Sequence, residues 1–133
     1  MNVIVDTSVW IDAFQKKHTN TADQLIDFLD RELVFLVAPI YLELLSGASN
    51  QDQLKLKRLL NALPIIYPTQ KTWDTAIQWT QIAKQKGYRF GVIDLIIGVL
   101  AYENLACIWS LDKDFMHMQK LGFIQLSSGI KIL

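Results

Sequence analysis

The stretch Val3-Ile4-Val5-Asp6-Thr7-Ser8-Val9-Trp10-Ile11-Asp12 decides the fold. Three β-branched apolar residues in a row suit a short strand covered on both faces, the signature of a parallel sheet between layers of helices. Asp6, Thr7 and Ser8 then suit a turn, and Val9 to Phe14 a brief helix. In open α/β sheets ligands bind beyond the carboxyl ends of the strands, so Asp6 stands at the productive edge.

The same alternation continues down the chain. Thr21 with Gln24 is a capping-box pattern opening a helix that carries Leu25, Phe28 and Leu29. Leu33 to Val37 reads as a second buried strand, followed by a helix from about Ile40 to Gly47 and another from about Asp52 to Leu63. Ile65 to Tyr67 is a short strand, and Thr69 caps a helix running to a C-terminal cap at Gly87. A very apolar helix spans Val92 to Glu103, a strand Cys107 to Ser110, a short helix Asp112 to Lys120, and a last strand Phe123 to Leu126. The pattern predicts an α/β fold: residues 1–133 as one domain, with a mostly parallel central sheet of four to five strands and helices on both faces.

Four acids interrupt apolar runs: Asp6, Glu43 within Ile-Tyr-Leu-Glu43-Leu-Leu, Asp94 within Val-Ile-Asp94-Leu-Ile-Ile, and Asp112 within Trp-Ser-Leu-Asp112-Lys-Asp114-Phe. Buried carboxylates are paired, hydrogen-bonded or metal-bound. Each of the four, taken singly, is explained as a helix cap or a solvent-facing residue. Taken together, they fall at the same sheet edge with too few neighbouring cations to pair them. Like charges in one cleft raise one another's pKa, which a divalent cation relieves. An all-oxygen set suits Mg²⁺ or Mn²⁺. Zinc finds no cluster, since only His18 and His117 exist, and both read as surface residues. Thr7, Ser8 and Ser110 flank the acids and serve either to orient them or to cap local turns.

Composition narrows the class further. At 133 residues, 51% hydrophobic and 20% charged, the chain has enough apolar content for a core. Lys plus Arg (13) equals Asp plus Glu (13), which excludes a global basic field for nucleic acid and leaves only a local basic groove. Candidates for phosphate contact are Lys16, Lys17, Lys84, Lys86, Arg89 and Lys113; most charges of this kind are simply solvated. Four Trp residues imply more apolar surface than one small monomer covers, hence a homo-oligomer or a permanent partner. The single Cys107 reads as a small buried hydrophobe, and with no leader or membrane-length apolar run the expected location is the cytoplasm.

The opening Val-Ile-Val-Asp6-Thr-Ser-Val-Trp-Ile-Asp, Glu43, the Asp94-x-x-Ile helix start and Ser110-Leu-Asp112-Lys-Asp114-Phe115 together resemble a PIN domain, specifically the VapC-type toxin of toxin–antitoxin pairs. The resemblance implies a Mg²⁺- or Mn²⁺-dependent endoribonuclease with Asp6, Glu43, Asp94 and Asp112 at the metal and Asp114 in support. It also implies a homodimer and a small antitoxin whose tail blocks the site, often with an arginine on the carboxylates. A receiver domain would want paired acids after the first strand, and a haloacid-dehalogenase-like phosphatase would want a second Asp where Ser8 stands. The remaining alternatives are a PIN-fold binding module or a housekeeping nuclease outside any toxin pair.

Overall fold

β1 (Val3–Val5) occupies the interior of the sheet: all three of its residues are buried, and both of its edges are paired. Successive strand residues point to opposite faces, so an unbroken buried run means that both faces are covered. The computed structural model describes residues 1–15 and 19–127. From β1 the chain enters α1 (Thr7–Phe14) and α2 (Thr19–Asp30), then β2 (Val34–Val37), α3 (Ala38–Gly47), α4 (Asn50–Asn61) and β3 (Ile65–Ile66). It continues through α5 (Gln70–Gln85), α6 (Val92–Glu103), β4 (Cys107–Trp109) and α7 (Lys113–Lys120).

The strand order is β3-β2-β1-β4, and every pairing is parallel. Val3 and Ile4 stand opposite Val34 and Phe35 on one side, while Val3, Ile4 and Val5 stand opposite Cys107, Ile108 and Trp109 on the other. The chain thus walks outward from β1 to β3, then crosses back over the sheet through α5 and α6 to set β4 against the free edge of β1. That reversal is a topological switch point, and the crevice beyond the carboxyl ends of β1 and β4 is where such sheets bind ligands.

Among the described residues the expected four to five strands resolve into four. In place of a fifth strand over Phe123 to Leu126, a single parallel bridge joins Leu126 to Ile108. Phe123 instead stacks on Trp79 of α5, ring centroids 4.4 Å apart, so the segment meets the sheet edge only at its end. Helix starts also shift. α2 begins before Thr21, and α4 begins at Asn50 because the Ser49 hydroxyl accepts the Asp52 backbone N–H and forms the cap. Pro39 lies in the first turn of α3, where its missing N–H is harmless, rather than ahead of that helix. Gly87, at φ +85°, ends α5 in the left-handed conformation that a helix stop requires.

The core centres on Ile4, Leu36, Ile97, Leu100 and Ile108, all essentially inaccessible, with Trp10, Phe28 and Phe115 filling the space around them. α5 packs along α6, and α6 touches α3, β4 and α7. Among the described residues no helix is long and apolar enough to cross a membrane. Cys107 is buried as expected, and burial pushes its thiol pKa up.

Candidate metal centre

Asp6 follows the last residue of β1 and occupies the N-cap position of α1, yet its side chain makes no capping bond. Its Oδ2 instead accepts two hydroxyls, Ser8 Oγ and Ser110 Oγ, each at 2.8 Å. The backbone holds the same junction, with the Asp6 N–H donating to the Trp109 carbonyl at 2.9 Å. Asp6 is only 6% exposed, so these bonds replace water that the carboxylate has lost. Ser110 in turn accepts the Asp112 N–H at 2.9 Å, and Ser8 accepts the Leu111 N–H at 3.1 Å. The two serines therefore lace the end of β1 to the loop after β4. Their roles in orienting the acid and in forming the turn coincide.

Asp112 caps α7, its Oδ1 accepting the Asp114 N–H at 3.0 Å. Asp94 lies half-buried in the first turn of α6. Oxygens of Asp94, Asp112 and Asp114 all lie within 4.8 Å of one another. The Asp94 carboxyl is pushed up to about 7, first by burial, then by the negative charges of Asp112, Asp6 and Asp114, and by a hydrogen bond with Asp114. The helix N-terminus pulls the other way, but its effect of about 0.3–1 kcal/mol loses to burial and three like charges.

Glu43 is exposed on α3 and is tied to the start of α1 by a 2.9 Å hydrogen bond from Thr7 Oγ1. Glu43 and Asp6, both read from sequence as metal-site acids, fall outside the close carboxylate trio, and Asp114, read as a supporting residue, falls within it. Asp12, one turn beyond Asp6's hydroxyl neighbours, is a buried acid (5% exposed) that sequence reading passed over. Its signal was its place on the same helical face as Val9 and Ala13. Lys84, Lys86, Arg89 and Lys113 are exposed; Lys16 and Lys17, like His18, lie outside the described residues. His117 is partly buried rather than a free surface residue, its ring 5.0 Å from that of Tyr88.

The donor set of the trio is entirely hard oxygen, and this chemistry fits a hard divalent cation. The family model for the PIN domain matches residues 3–121. The chain belongs to the PIN domain family. As a family PIN domains are nucleases, and an acidic cluster at the switch point agrees with that assignment. Among solved structures, this PIN domain is similar to VapBC2 from Rickettsia felis, which was crystallised bound to a DNA fragment from its promoter. Identity is 20%, covering 96% of this chain and 98% of that one, at a TM-score of 0.78. It is similar also to VapBC-1 from nontypeable Haemophilus influenzae (20% identity, 98% and 100% covered, TM-score 0.77). FitAcB from Neisseria gonorrhoeae aligns likewise (17% identity, 98% and 99% covered, TM-score 0.77). At these identities the likeness is one of fold. No curated protein matches in sequence.

Proposed function

We propose that this PIN domain is a Mg²⁺- or Mn²⁺-dependent endoribonuclease and the toxin of a toxin–antitoxin pair. The observation that carries the proposal is the convergence of Asp94, Asp112 and Asp114 beside Asp6 at the switch point, with the Asp94 carboxyl held near 7 by burial and then by the other acids. The residues that would hold the ion are Asp94, Asp112 and Asp114, with Asp6 beside them and Glu43 joining from α3. When bound, a divalent cation neutralises these carboxylates and stabilises the charge that develops on a phosphodiester attacked by water. The chain's own part is preorganisation. Ser8 and Ser110 fix the Asp6 carboxylate, Thr7 fixes Glu43, and the α7 cap fixes Asp112. Exposed Arg89 and Lys113 adjoin the acid-bearing segments and serve as phosphate contacts for RNA.

A groove of about 560 Å³ between α1 and the α3–α4 pair supports the partner half of the reading. Ile11, Phe14 and Leu59 line it with large exposed apolar surface, and Glu43 lies at its wall. A short apolar segment of a small antitoxin laid in this groove reaches the acidic end. The neighbours of known structure are VapBC and Fit complexes, which supports such a partner. A homodimer accounts for other exposed apolar residues, among them Trp73, Ile77 and Leu105.

The test is expression in a bacterial host. The parent chain arrests growth and degrades RNA, Asp6→Asn does neither while remaining folded, and the product of a neighbouring small open reading frame relieves the arrest. RNA cleavage without arrest or relief points to a housekeeping nuclease; Asp6→Asn acting like the parent contradicts the site.

A further inference from the structure

Glycine is among the poorest residues for a helix interior, yet Gly98 sits in the middle of α6 among buried neighbours. Space explains it. A Cβ at this position would meet Met118 Sδ at 3.0 Å, Trp79 Cζ3 at 3.4 Å and Ile124 Cγ2 at 3.5 Å. These three atoms come from α7, from α5 and from the segment after α7, so the position is boxed on three sides. Met118 is fully buried, and Trp79 is held by stacking on Phe123 and by an edge contact with Tyr102 at 5.6 Å. Gly98 is therefore a position where α6 packs against α7 with little room for a side chain.

Residues four apart lie on the same face of a helix. Asp94 stands four before Gly98, and Asp114 stands four before Met118. The two carboxyl groups, with oxygens within 4.8 Å of each other, thus ride one turn above the crossing that Gly98 permits. We propose that Gly98 is a positioning residue: the absence of its side chain sets the distance between the α6 and α7 carboxylates and hence the affinity of the centre for a divalent cation. The inference rests on the metal-centre reading above. An added methyl needs a few tenths of an ångström from Met118; because Met118 is fully buried, the inference is that α7 takes up this shift, which separates Asp94 from Asp112 and Asp114.

Isothermal titration of the intact chain with Mn²⁺, in the absence of RNA, tests this. Gly98→Ala binds Mn²⁺ roughly tenfold more weakly than the parent, the scale typical of losing support for metal ligands. The melting temperature of metal-free Gly98→Ala stays within a few degrees of the parent's, because alanine favours the helix. Gly98→Ala combined with Met118→Ala, which removes the atom that the methyl meets, recovers most of the affinity. Should the single variant fail to fold, recovery of both fold and binding in the double variant supports the inference. Parent-like affinity in Gly98→Ala, or equal weakness in the double variant, overturns it. Failure of the parent itself to bind Mn²⁺ overturns it together with the metal-centre reading.

Discussion

Asp94 holds its proton well above the pH at which an ordinary aspartate ionises, because it is half-buried and three other acids stand near it. The consequence for stability has a definite sign. A carboxyl raised from 3.8 to about 7 makes the folded chain bind more protons than the unfolded one, so the stability this site contributes is full below about pH 4 and lost as pH rises to about 7. The full shift corresponds to about 4 kcal/mol, and partial exposure to water reduces this to the order of 1–2 kcal/mol. Asp94→Asn in EDTA should therefore be more stable than the parent by that amount near pH 8, and by less near pH 5, as urea unfolding would read. A gain that does not change with pH would contradict the electrostatic account. The burial of Asp94 was legible in its apolar run, and so was that of Asp6. The equal standing of Asp112 and Asp114 was not: they are separated by one residue, and only the folded start of α7 brings oxygens of both within 4.8 Å of Asp94. Glu43 was legible as an acid on the right helix, but its link to the site runs through the Thr7 hydroxyl, a contact that no sequence spacing reveals.

Among the elements, α5 and α6 frame the half of the site that Asp94 occupies, and one buried hydroxyl joins them. Thr72 is 1% exposed; its Oγ1 donates to Glu103 Oε1 at 2.7 Å and accepts the Thr69 N–H at 3.0 Å. Thr72→Val keeps the shape and removes both bonds, which should cost about 1–3 kcal/mol because the groups left behind have lost their water. Urea unfolding should show a lower midpoint with an unchanged slope; an unchanged midpoint would mean that the bond is not coupled to folding. α6 was legible end to end, since Gly91 precedes a long apolar run and Asn104 follows it. The helices over 19–30 and 50–61 begin before the Thr21 capping pattern and the Asp52 start that the sequence suggested. At Ser49 the reason is clear: any of several polar residues in a row can cap, and the three-dimensional hydrogen bond chooses among them. The last strand failed for a tertiary reason, the preference of Phe123 for Trp79 over the sheet.

For the molecule as a whole, the deciding feature is the reversal that puts β4 beside β1. Without it, Asp6 and the Ser110–Asp114 segment would end on different edges of the sheet, and neither serine could reach across. The opening stretch Val3–Asp12 announced a parallel sheet with an acid at its working edge, but the strand order that assembles the acids is a property of the crossover through α5 and α6. The exposed apolar groove beside Glu43 is likewise a property of how α1 meets α3 and α4. The claim that joins these features is that the acids at the switch point cut RNA with a divalent cation. Total RNA incubated with purified, antitoxin-free chain, with the new ends mapped, tests it most directly. The account predicts discrete cleavage with Mg²⁺ or Mn²⁺, none with EDTA, and none from folded Asp94→Asn. Cleavage that survives EDTA, or that Asp94→Asn performs as well as the parent, would contradict it.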